Sequence, residues 1–77
     1  MKKELKYLEK VLEIYTIAVR REQAAYDFYV AASHKVTTDA EKKIFLDLAE
    51  FEMQHLKMME RHCAKTLARM KEVQQQG

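Results

Sequence analysis

Proline is absent from this 77-residue chain and glycine occurs once, as the terminal Gly77. Nothing internal therefore compels a helix to break, and an all-α protein is expected. Cysteine also occurs once, as Cys63, which excludes an internal disulfide. Long apolar runs are missing too: the longest uncharged one, Ile14 to Val19, falls far short of the roughly 20 residues that span a bilayer. The opening Met1-Lys2-Lys3-Glu4 does not read as a signal peptide, so a soluble cytoplasmic protein is expected. Nor is there an excess of one charge. Fourteen basic and twelve acidic residues interleave to give a net +2. Lys57, Arg61, Lys65 and Arg69 do form an i, i+4 stripe, which reads as a solvated outer face rather than a nucleic-acid or anion site.

A single core in a chain this short rarely supplies more than about 3–5 kcal/mol. With disulfides excluded, oligomerisation or metal binding must supply the remainder.

The apolar residues that are present fall into two periodic sets. Leu5, Leu8, Leu12, Tyr15, Val19, Glu22, Tyr26 and Tyr29 repeat at spacings of three and four, predicting a first helix over about residues 3–33. At 1.5 Å per residue that helix is roughly 45 Å long, too long for a compact monomer of this size. His34 to Thr38 interrupts the pattern, and Thr38 with Glu41 reads as a capping box. A second helix is predicted over about 39–73, with Phe45, Ala49, Glu52, Leu56, Met59, Cys63, Leu67 and Met70 on its seam and a fraying tail from Gln74 to Gly77. Leu48, Phe51 and Met58, with Leu46 and Met53 further round, make this helix apolar on more than one face. The expected architecture is an antiparallel two-helix hairpin that pairs with a second copy into a four-helix bundle.

Three residues break the apolar pattern in a way that carries chemistry. Glu22 is the only charged member of the first seam, and a carboxylate facing a core costs several kcal/mol unless it is paired or bound to metal. Glu52 and His55, three apart on the second helix, point the same way from adjacent turns. Counted from the loop, the three lie at similar heights, so their side chains converge. Two hairpins about a two-fold axis would bring together four carboxylates and two imidazoles, a set that two divalent ions neutralise. Mixed oxygen and nitrogen ligands suit iron or manganese better than structural zinc. Without metal, the carboxylates repel one another and share protons.

These residues resemble the ferritin-like di-iron carboxylate superfamily, in which a Glu from each of two helices joins a Glu-x-x-His from each of the other two. Glu22-x-x-Ala25-x-x-x-Tyr29 is similar to the rubrerythrin and ferritin pattern, and Leu48-Ala49-Glu50-Phe51-Glu52-Met53-Gln54-His55 to the rubrerythrin form. A single hairpin, with 30 residues from Glu22 to Glu52, looks like the encapsulated ferritins. The resemblance implies a di-iron site at a dimer interface with Glu22, Glu52 and His55 as ligands. It also implies Tyr29 beside the site as a supporting and electron-donating residue, and Fe(II) oxidation by O2 or peroxide. Higher assembly and location inside a protein compartment are implied as well. Lacking a Cys-x-x-Cys pair, the chain would draw on an external electron donor. Acidic residues flank the first ligand in encapsulated ferritins, whereas Arg21 and Ala24 stand here.

A second reading takes the same stripes as plain packing surface of a helical oligomerisation module with a structural metal or none. In the blandest version Glu22 reaches solvent, Glu52 pairs with a lysine and His55 is an ordinary half-buried histidine. His34 reads as a loop or capping residue, and His62 as surface more than as an outer metal ligand. Cys63 reads as a small buried side chain, and Met53, Met58, Met59 and Met70 as core filler.

Overall fold

In a computed structural model describing residues 2–76, the chain folds as two antiparallel helices, α1 (Lys2–Lys35) and α2 (Asp39–Gln76), with no strand among the described residues. The all-α hairpin expected from composition is present. Its ends differ from expectation. α1 continues two residues past Ser33, where Val36 N–H donates to Ala32 O at 3.2 Å, so His34 belongs to a final helical turn rather than a loop. With Lys35 it places basic groups where the helix dipole favours them. α2 runs on through Gln76 instead of fraying at Gln74, since glutamine is a good helix former and no breaker intervenes. Met1 and Gly77 lie outside the described residues.

Only Val36, Thr37 and Thr38 separate the helices. The Thr38 hydroxyl accepts the Glu41 N–H at 3.2 Å and donates to Glu41 Oε1 at 2.8 Å, so one Thr–Glu pair satisfies an orphan amide at the start of α2. At the open end, Arg69 binds Glu4 at 2.6 Å and Glu72 at 3.1 Å, tying the start of α1 to the end of α2.

The first seam lies along the helix–helix contact as expected: all eight of its residues are half-buried. On α2 the seam departs from the expected one near its end. Thr66 and Val73 are buried while Leu67 is 50% exposed. Strict alternation of three and four from Ala49 lands on Glu52, Leu56, Met59, Cys63, Thr66, Met70 and Val73, the 3.5-residue average that keeps one stripe against a partner helix. Leu67 requires two steps of four in succession. Burial of Thr66 is tolerated because its hydroxyl donates to His62 O at 2.9 Å. Ser33, buried beside the loop, likewise donates to Val30 O at 2.6 Å.

The result is a rod of 59 × 14 × 11 Å with a radius of gyration of 17.4 Å. A compact chain of this length has a value near 11.5 Å by the usual scaling. Among the described residues no side chain is completely enclosed, and nine large hydrophobic ones are exposed. No helix is long and apolar enough to cross a membrane.

Candidate metal centre

Glu22 reaches the site from α1, and Glu52 and His55 reach it from successive turns of α2. Each offers one ligand atom, and the three atoms lie within 4.8 Å of one another. His55 Nδ1 is 3.6 Å from Glu22 Oε2 and 3.9 Å from Glu52 Oε2, too far for hydrogen bonds. Donors held at about 2.0–2.2 Å from one ion sit roughly 3–3.5 Å apart. The His55 contacts are thus up to about an ångström wider than a coordination shell, and side-chain adjustment would have to draw the three donors in.

Two properties of the carboxylates fit a cation. Glu22 Oε2 is buried without a hydrogen-bond partner, and an orphaned carboxylate oxygen is costly. Glu52 is held above the ordinary carboxylate range. Hydrogen bonding with Glu22, which favours the protonated form, contributes most; burial and the neighbouring Glu22 charge add to it, and His55 opposes it. A divalent ion would supply the missing partner to Glu22 and, by favouring the ionised carboxylate, oppose the upward shift at Glu52.

The ligands are open on one side, since the His55 side chain is 54% exposed while those of Glu22 and Glu52 are 25% and 22%. In an antiparallel pair, the anticlockwise flank of each helix, viewed from its own N-terminus, lies on the same side of the hairpin. At 100° per residue, His55 falls on that flank, as do Ile14, Phe28, Ile44, Phe51 and Met58, while Ile17, on the back of α1, borders the same cleft as Ile14. Each of these six apolar residues is within eight residues, about 12 Å of helix, of Glu22 or Glu52. Tyr7 also falls there, nearer the open end; Leu46 and Leu67 fall on the other flank. Six of the nine exposed large hydrophobic residues therefore share a flank with the candidate metal-binding group, and Ile17 borders it. Ile14, Ile17, Ala18 and Arg21 wall an open cleft beside Glu22.

The structure brings Glu22, Glu52 and His55 together and leaves Tyr29 apart. Tyr29 stands two turns toward the loop, stacked on Phe45 with ring centroids 6.4 Å apart and edge-on to Phe28 at 5.4 Å. Its hydroxyl has no side-chain hydrogen bond among the described residues. His62 is stacked on Tyr15, with centroids 5.6 Å apart, two turns in the other direction. Among the described residues it belongs to no group of three possible ligands. Cys63 is half-buried on the α2 seam, at the edge of a cleft on the opposite flank that Val19, Arg20, Ala64 and Leu67 also line. The basic stripe is exposed, and Arg69 at its end is neutralised by Glu4 and Glu72. Sequence reasoning missed the place of Arg21; its signal is adjacency to Glu22 on a helix whose following flank positions are alanine.

Comparison with known proteins adds no relative: no family model, curated protein or solved structure matches this chain.

Proposed function

We propose that two copies of the chain associate through the flank carrying Ile14, Phe28, Ile44 and Phe51, and hold a pair of iron ions between Glu22, Glu52 and His55 of each copy. The observation that carries the reading is the convergence of three ligand atoms, one of them an orphaned buried carboxylate oxygen, on the flank that also exposes most of the large apolar side chains.

Energetics favour association assisted by metal. Covering the exposed half of six apolar side chains in each copy is worth on the order of 10 kcal/mol, taking about 1.5–3 kcal/mol for a full burial. Association costs about 4–15 kcal/mol. Apolar contact alone leaves little surplus, and ions that bind only the paired form supply it. A two-fold axis through the level of the ligands covers the six residues near the site and leaves the open ends, with the Glu4–Arg69–Glu72 cluster, in water.

A bound iron pair supplies one-electron redox chemistry, and the proposed activity is oxidation of Fe(II) by O2 or peroxide. Glu22 and Glu52 would hold and neutralise the ions, and the imidazole of His55 would complete the donor set. Ile14, Phe51 and their symmetry mates exclude bulk water. Tyr29, about 10 Å along the helix from Glu22, is an electron source at short range that an external donor would replenish. Manganese suits the same donors. An unpaired cysteine agrees with a reducing compartment, and the cytoplasm is the proposed setting.

The apolar flank by itself would also suit a non-catalytic oligomerisation module. Anaerobic titration with Fe(II), followed by air, separates the two. The proposed function requires two irons per dimer, ferric absorbance and O2 uptake. A redox-silent dimer favours the module, and unchanged iron uptake by Glu52→Ala overturns the metal site.

A further inference from the structure

We propose that the paired metal centre takes a small oxyanion as an additional ligand, and that Arg21 holds it. The inference rests on the dimeric metal site proposed above. Arg21 lines the same open cleft as Glu22, a space of about 330 Å³, room for several water-sized molecules. Its guanidinium has no ion-pair partner among the described residues. The sequence offers none on its own helix face, because the positions three and four away are Ile17, Ala18, Ala24 and Ala25. Among the described residues the cleft is walled by α1 alone, with Glu22 its one carboxylate, and helical periodicity puts Phe51, His55 and Met58 of α2 on the same flank. A second copy covering this flank brings the same set of residues.

Each Arg21 would therefore be covered with only the metal-bound carboxylates nearby. Those are already balanced: four carboxylates contribute −4 and two divalent ions +4, so the two Arg21 side chains leave the centre at +2. A desolvated guanidinium without a counter-ion is unfavourable. The remaining source of negative charge is an anion from solution. Arg pairs with oxyanions through two parallel N–H···O bonds, and open positions on the ions accept further oxygen ligands. The class of ligand is thus a compact oxyanion such as phosphate. Lysine would attract it less specifically, and glutamine would not attract it by charge.

The test uses the full chain loaded with Co(II), freed of excess metal, and titrated with inorganic phosphate. Bound phosphate is measured by equilibrium dialysis and the metal environment by visible absorption. Wild-type protein is expected to bind up to one phosphate per two chains with a change in the Co(II) spectrum. Arg21→Gln should load the same Co(II) yet bind phosphate at least about tenfold more weakly, Arg21→Lys should fall between, and Arg20→Gln on the opposite flank should match wild type. Phosphate binding by Arg21→Gln equal to wild type, as when Arg21 extends past the interface into water, overturns the proposal. So does loaded wild-type protein that binds no more phosphate than the metal-free chain. Failure of wild-type protein to take up Co(II) at all instead removes the metal site on which the inference depends, and metal analysis of the dialysed sample tells the two failures apart.

Discussion

Glu22 and Glu52 are the residues at which stability and the proposed metal binding oppose one another. In the metal-free chain they share a half-buried position, and Glu52 retains a proton above its ordinary value of 4.5, first through hydrogen bonding with Glu22. Because the folded-state value is the higher one, the folded chain binds more protons than the unfolded chain between the two. The metal-free protein therefore gains stability as pH falls toward 4.5 and loses it as pH rises through the raised value. Urea midpoints of metal-free protein should be higher near about pH 5 than about pH 8. Glu52→Gln should flatten that difference and raise the midpoint near neutrality, while lowering iron affinity by at least about a hundredfold, beyond the loss typical of a residue that only supports a ligand. A wild-type midpoint that climbs steadily from acid to neutral pH would contradict this account.

Within the helices, stability is concentrated at caps and at the few buried seam residues. Thr38 holds the start of α2 through both its hydroxyl bonds to Glu41, so Thr38→Ala should cost about 1 kcal/mol. That corresponds to a fall of roughly 4–8 °C in Tm for a domain of this size. Leu56, 6% exposed and adjacent in sequence to His55, is the largest buried apolar side chain. Leu56→Ala should cost about 2–5 kcal/mol by thermal or urea unfolding and weaken metal binding by loosening the turn that carries His55. Removing Arg69, by contrast, should cost at most about 1 kcal/mol, since its partners are solvent-exposed and salt screens them. Measuring Arg69→Ala at low and high salt checks that attribution.

For the whole molecule the deciding quantity is how much apolar surface one hairpin leaves uncovered. With no side chain fully enclosed, a lone copy resembles half of a core. Sedimentation of the metal-loaded protein should show dimers or multiples of them, shifting toward monomer when a chelator removes the ions. Phe51→Lys, at the centre of the apolar flank and next to Glu52, should give monomers that remain helical by circular dichroism. Leu46→Lys, on the other flank, should leave the dimer intact. If both behave alike, the flank has been misassigned.

The absence of proline, the isolated terminal glycine and the 3,4 spacing determined by themselves that the chain forms two long helices joined near Thr38, because helix period and capping are local properties. The lone charges on the seams, Glu22 and Glu52, were legible for the same reason, as was their company with His55 at i, i+3. The exact run of the α2 seam was not. Leu67 and Thr66 are both compatible with helical periodicity, and only packing against α1 selects Thr66, whose hydroxyl has a carbonyl to bond. Which flank is open, and that His55 and Arg21 look out across it, also depended on tertiary structure. A helix has no preferred side until a partner covers one, and the antiparallel arrangement of α1 and α2 decides which residues of each share the face left bare.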